Sequence, residues 1–232
     1  MNILGIIPAR GGSKTVPGKN IKLLAGKPLL QYTVDVAKAS KHLTKLILSS
    51  DDDRIISIAN QLKLEVPFKR PSDLAQDKSP TLPVIQHALN FYKDQGIYFD
   101  AVCLLQVTSP FKTTEFIDNA IKKFIESKAD ALVSVKKVPD EYNPHWTFKA
   151  NDNDCLELST GEEKIISRRQ DLPIAYHRDG IIYLTKTKVL LEQNSLYGKT
   201  LTYIESPLDS NINIDTFDDW NQAEDYLKNN KL

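Results

Sequence analysis

The chain has 232 residues, with Lys+Arg at 30 balanced by Asp+Glu at 30; hydrophobic residues make up 41% and charged residues 26%. That length suits one domain with a sizeable core, and the composition is that of an ordinary globular protein. Zero net charge argues against a chain built as a whole to hold a polyanion, so no nucleic-acid partner is expected, while a local basic pocket for a small phosphate ligand stays open.

Residues 2–8 form a short apolar run that reads as a buried strand; it is too short for a signal peptide or membrane span, so a cytoplasmic protein with no membrane partner is expected. Residues 29–39 have helical spacing through Leu30, Val34 and Ala37. Residues 45–50 form a second strand, 54–62 a second helix and 65–68 a short third strand. Residues 81–92 are helical through Val84, Ile85, Ala88, Leu89 and Tyr92. A strand follows at 101–106, holding Cys103 as a buried core thiol, then a helix at 114–125 and a strand at 131–135. Residues 137–175, rich in Pro, Asn and Asp, break this rhythm and predict an excursion from the sheet that packs on a second copy. Strands at 180–184 and 202–204 and a helix over 216–227 complete the chain.

Alternating strands and helices predict a three-layer α/β fold, a doubly wound and mostly parallel sheet with helices on both faces. Ligands of such sheets bind beyond the carboxyl ends of the strands, which directs attention to residues 8–20, 49–54, 106–113 and 136–142.

The first of these segments reads Pro8-Ala-Arg-Gly-Gly-Ser-Lys14, then Pro17-Gly-Lys-Asn20. Gly11 and Gly12 let a backbone approach an anion with its amides facing inward. Ser13 adds a hydroxyl, and Arg10, Lys14 and Lys19 add positive charge, a combination suited to a triphosphate. The segment matches neither a Walker A loop nor Gly-x-Gly-x-x-Gly. On glycines alone, a solvated basic turn explains it equally well.

These residues resemble the opening of the acylneuraminate cytidylyltransferases, the CMP-sialic acid synthetase family. Further matches follow in the family's order: Asp51, Arg70-Pro71, Leu105-Gln-Val-Thr-Ser-Pro110, Arg168-Arg-Gln-Asp-Leu-Pro173, Gly180-Ile-Ile-Tyr183 and Ile212-Asn-Ile-Asp-Thr216. The resemblance implies a Rossmann-like nucleotidyltransferase fold that joins CMP, from CTP, to a nine-carbon 2-keto sugar acid. It implies that Arg10, Gly11, Gly12, Ser13, Lys14, Lys19 and Asn20 hold the phosphates and ribose, with Lys19 and Arg10 stabilising the reacting phosphates. Arg70 and Ser79 would line the cytosine pocket. Gln106 and Thr108 would contact the sugar acid, joined by Tyr183 and by the Arg169–Gln170 pair, which can come from the other subunit of a homodimer.

The resemblance also implies Mg²⁺ as cofactor, bound by an Asp-x-Asp pair; here that pair is Asn213 and Asp215. Asp215 has a rival reading as the cap of the final helix, with Asp218 three residues on. Asp209 or Asp51 could supply the missing charge. Thr15 stands where many members carry glycine, and Tyr176-His-Arg-Asp-Gly180 replaces an Arg-Pro-Asn-Gly motif, which leaves the identity of the sugar open. The competing readings are a CMP-Kdo synthetase and a catalytically silent CTP-binding homologue.

Overall fold

The structure, a computed structural model, describes residues 1–207 and 212–230; Asp209 lies outside them. The chain divides into two compact units, Met1–Ser134 with Gly180–Leu232, and Val135–Asp179.

In chain order the strands and helices are β1 (Ile3–Pro8), β2 (Leu23–Leu24), β3 (Lys27–Pro28), α1 (Leu29–Lys38), β4 (Lys45–Ser49), α2 (Asp53–Gln61), α3 (Thr81–Lys93), β5 (Ala101–Leu105), α4 (Thr114–Ser127), β6 (Ala131–Lys137), β7 (Phe148–Ala150), β8 (Leu156–Leu158), β9 (Tyr176–Lys186), α5 (Thr187–Glu192), β10 (Leu201–Glu205) and α6 (Phe217–Asn230). Six strands form one sheet in the order β10-β6-β9-β5-β1-β4. β1 pairs in parallel with β4 (Ile6 opposite Ile47) and with β5 (Gly5 opposite Cys103), while β9 runs antiparallel to β5 (Tyr183 opposite Leu104).

Side-chain alternation sends successive strand residues to opposite faces. Ile3, Ile7, Ala101, Cys103 and Leu105 join one continuous core with Leu30 and Val34 of α1, Ile55 of α2, Ile117 and Phe124 of α4 and Trp220 of α6. On the other face Val102, Leu104 and Tyr183 meet Ile85 of α3 and Leu190 of α5. The three expected layers result, and the mostly parallel sheet with them. Among the described residues no helix is long and apolar enough to cross a membrane.

Three elements differ from expectation. The strand expected at 65–68 is reduced to isolated bridges, Ile47 to Glu65 and Ser50 to Lys69, because Pro67 between them has no N–H to give a ladder. β9 extends well beyond 180–184. A two-residue hairpin joins β2 to β3 through Ala25 and Gly26, both at positive φ (46° and 83°), which is primed-turn geometry without its usual Asn-Gly signal.

The Val135–Asp179 unit is built from turns and the β7–β8 hairpin. Asn143, almost fully buried, accepts from the His145 amide through Oδ1 and donates through Nδ2 to the Pro173 carbonyl at 2.9 Å. Trp146 Nε1 donates to the Ile166 carbonyl. Tyr142, Phe148, Leu156, Ile165 and Ile174 remain exposed.

Candidate active site

β1, β4 and β5 end side by side, with Pro8 opposite Ser49, and their carboxyl ends open into a cleft of about 290 Å³. The loop after β1 supplies Arg10, Ser13, Lys19 and Asn20; the segment after β4 supplies Arg70, Asp77 and Ser79; the turn after β5 supplies Gln106 and Thr108; and the approach to α6 supplies Asp215. Nine of the residues singled out from the sequence therefore line one cavity: Arg10, Ser13, Lys19, Asn20, Arg70, Ser79, Gln106, Thr108 and Asp215.

The first loop takes its course from two close contacts. A Cβ on Gly11 would lie 2.5 Å from an Asp52 carboxylate oxygen, so only glycine lets the chain pass there. Gly18 sits at φ 64° and starts the 3-10 turn of Lys19–Ile21. Asn20, nearly buried, donates from Nδ2 to the Arg10 carbonyl at 2.9 Å and closes the loop on itself. Thr15 is not among the residues with positive φ, so its Cβ imposes no strain. The expected inward-facing amides are only partly realised: the Gly11 N–H is spent on Asp51 Oδ1 (3.1 Å) and that of Ser13 on the Gly11 carbonyl (3.1 Å).

The charges are arranged in pairs. Lys19, with its side chain 11% exposed, donates from Nζ to the Ile214 carbonyl (2.6 Å) and to Asp215 Oδ1 (3.0 Å). Asn213 Nδ2 donates to the other oxygen of Asp215 (2.6 Å), and the Ile214 amide donates to the Thr108 carbonyl (2.7 Å). Asp215 does not cap α6. Thr216 and Asp219 form the cap reciprocally, the Asp219 amide on Thr216 Oγ1 (3.2 Å) and Asp219 Oδ2 accepting from the Thr216 amide (2.7 Å), which leaves Asp215 to the cleft. Hydrogen bonds from the Asp215 and Thr216 amides hold the Asp219 carboxyl below the usual carboxylate range.

Arg70 is buried beneath the cleft, its Nε on Ser49 Oγ (3.0 Å) and its Nη2 on the Ser49 carbonyl. Burial, opposed by Asp51 and reinforced by Arg10, pulls its guanidinium down to about 10, so it remains a cation at neutral pH. Asp77 gave no signal in the sequence, yet it accepts from Arg10 Nη1 (2.9 Å) and pairs with Lys14 Nζ, which holds its carboxyl low. All three of the loop's expected phosphate-binding cations, Arg10 and Lys14 on Asp77 and Lys19 on Asp215, are thus engaged by a carboxylate of the protein itself.

Tyr183, expected as a wall of the site, packs instead between β5, α3 and α5, because β9's alternation turns it to that face. Arg169 and Gln170 belong to the Val135–Asp179 unit, where Arg169 Nε meets Asp140 Oδ2 at 2.6 Å. Lys14, Gly11, Gly12 and Asn213 flank the cleft's lining residues in sequence without lining it.

A mostly parallel sheet whose strand ends hold a cation-rich loop, a buried arginine and an opposed aspartate is the setting in which α/β enzymes bind nucleotides. A family model described as Cytidylyltransferase matches residues 4–231, and the chain belongs to that family. It is 34% identical to the pseudaminic acid cytidylyltransferase of Campylobacter jejuni over 99% of this chain and 98% of that protein. It is 33% identical to the CMP-N,N'-diacetyllegionaminic acid synthase of Legionella pneumophila over 100% of this chain and 98% of that one. The N-acylneuraminate cytidylyltransferase of Escherichia coli is 32% identical over 92% of this chain, which spans 50% of its length. In fold the chain is similar to a CMP:2-keto-3-deoxy-manno-octonic acid synthetase complexed with CTP, at a TM-score of 0.73 and 14% identity, each chain covered in full.

Proposed function

We propose that this enzyme transfers CMP from CTP to the anomeric hydroxyl of a nine-carbon 2-keto sugar acid. The observation that carries the reading is the gathering of Lys19, Arg10, Arg70, Gln106, Thr108 and Asp215 around one cleft at the strand ends. The relatives named for pseudaminic, legionaminic and acylneuraminic acids support the nine-carbon class. Dependence on CTP favours a cytoplasmic setting.

In the reaction the hydroxyl oxygen bonds to the α-phosphorus, the bond from that phosphorus to the bridging oxygen breaks, pyrophosphate departs and the hydroxyl proton is lost. Negative charge builds on the phosphate oxygens. Lys19, oriented by Ile214 and Asp215, and Arg10, on the same loop, are the cations positioned to offset it. Arg70, Ser79, Leu74 and Val84 form the floor on which the base rests. Gln106 and Thr108 orient the sugar acid so that its hydroxyl meets the phosphorus.

Mg²⁺ fits the donor set present. Among the described residues no group of three His, Cys, Asp or Glu side chains could hold a metal by itself, and the carboxylate–amide pair of Asp215 and Asn213 suits an ion that takes most of its ligands from phosphate oxygens and water. Bound there, Mg²⁺ would supply charge neutralisation of the triphosphate.

The chain is also proposed to act as a homodimer through the Val135–Asp179 unit, supported by the exposed Tyr142, Phe148, Leu156 and Ile174. Light scattering would return twice the chain mass for the native protein and a lower mass for a Phe148→Glu, Leu156→Glu variant.

The reaction is tested by pyrophosphate release from CTP and Mg²⁺ against pseudaminic, N,N'-diacetyllegionaminic, N-acetylneuraminic and 2-keto-3-deoxy-manno-octonic acids, with ATP, GTP and UTP as controls. Release with CTP and a nine-carbon acid is expected. Release with only the eight-carbon acid, or none despite CTP binding, would overturn the reading.

A further inference from the structure

Lys112 is a charged side chain that the proposed chemistry does not use. It is 3% exposed, lies seven residues beyond the end of β5, and its Nζ donates to three neutral oxygens: Thr33 Oγ1 on α1 at 3.0 Å, the Gln106 carbonyl at 2.8 Å and the Ser109 carbonyl. The three bonds use all three donors of an ammonium. Taking an ammonium out of water without a carboxylate partner is costly, and burial pulls this one down to about 7. A methionine would fill the same space without that cost, so the lysine is there for what its head group holds.

What it holds is the turn that lines the cleft. The two carbonyls bracket Val107 and Thr108; Gln106, Val107 and Thr108 all face the cavity, and Lys112 grips the turn from the protein side. Thr33, fully buried on α1, gives the grip a fixed base in the core. The same turn continues into the phosphate side, because the Thr108 carbonyl accepts from the Ile214 amide and the Ile214 carbonyl accepts from Lys19 Nζ. Ser109 Oγ also approaches Asn213 Oδ1 at 3.4 Å.

We propose that Lys112 is a positioning residue: its buried head group fixes the main chain of the 106–109 turn and thereby places Gln106 and Thr108 against the sugar acid. The inference rests on the proposed reaction for the role of those two side chains. A displacement of about an ångström at such contacts costs up to about a hundredfold in rate, whereas the base pocket around Arg70 and Ser79 stands on other elements.

The test compares wild type, Lys112→Met and Thr33→Val. In the free proteins, amide hydrogen exchange at residues 106–109 is expected to speed up in Lys112→Met, and less in Thr33→Val, while β1 and β4 keep their protection. With the sugar acid of the panel that gives the highest turnover, KM for that acid is expected to rise about tenfold or more in Lys112→Met, with KM for CTP within about threefold. A merely structural lysine would lower the active fraction and leave both KM values alone, and that result, or unchanged exchange at the turn, overturns the proposal. If Lys112→Met does not fold, Thr33→Val decides alone: exchange at the turn and KM for the acid must both rise. Absence of wild-type turnover with every acid would sink the proposed reaction, while the exchange measurement would still decide whether Lys112 anchors the turn.

Discussion

Lys19 and Asp77 show how single residues divide the work of the cleft. Lys19 is the least exposed of the cleft's ion-paired cations and is aimed by a backbone carbonyl as well as by Asp215. Lys19→Ala should therefore lower the rate of pyrophosphate release at saturating CTP by about a hundredfold or more. A loss of only a few-fold would remove it from the reacting phosphates. Asp77 works in the opposite sense. Its carboxylate pairs with Arg10 and Lys14, so an incoming triphosphate must displace it to reach them. Asp77→Asn should bind CTP severalfold more tightly in titration calorimetry, and weaker binding would instead make Asp77 a support of the bound ligand. Neither pairing could be read from the chain, since Asp77 is one acidic residue in a polar segment 67 positions from Arg10.

At the scale of elements, strand ends and helix starts deliver the side chains. Asp52 caps α2, accepting from the Arg54 amide, while its neighbour Asp51 holds the Gly11 amide. Gly11 must lack a Cβ because Asp52 lies where one would go. The Thr216–Asp219 cap sets where α6 begins, and with it the direction from which Asp215 enters the cleft. Thr216→Ala should cost about 1 kcal/mol in urea unfolding, and a cost near zero would mean the cap is dispensable. Short apolar runs made β1, β4 and β5 readable in advance, and helical spacing of apolar residues did the same for α1, α2 and α3. The same pattern failed at 65–68, where Pro67 withholds a donor, and at Ala25-Gly26, where the turn uses positive φ at an alanine.

For the molecule as a whole, several carboxyls are held low by specific partners. The Arg54 side chain lowers Asp52. Burial pushes Glu65 up, but Lys45 and Tyr92 outweigh it, and the Lys199 and Thr200 amides lower Asp130. A carboxyl depressed on folding contributes stability that is full above its unfolded value, about 4, and is lost as pH falls through the folded one. Through these carboxyls the urea midpoint should fall as pH drops from about 5 to below about 4. A midpoint unchanged at pH 3 would show that these pairs contribute nothing.

Residue order alone carried the layered α/β architecture, because short apolar runs bounded by turn residues alternate with longer, helically spaced stretches, and that rhythm favours a mostly parallel sheet. It determined the family as well, through an ordered set of short motifs spread over nearly the whole chain, and most of the cleft, because chain segments that leave parallel strands at one edge must converge there. Tertiary structure alone decided which groups pair across that edge: Asp77 on Arg10 and Lys14, Thr216 rather than Asp215 at the cap, Tyr183 turned into the α3–α5 face, and Lys112 buried behind the 106–109 turn. Those pairings join residues on different strands and helices, and their energies depend on distance and burial, quantities that exist only once the chain has folded.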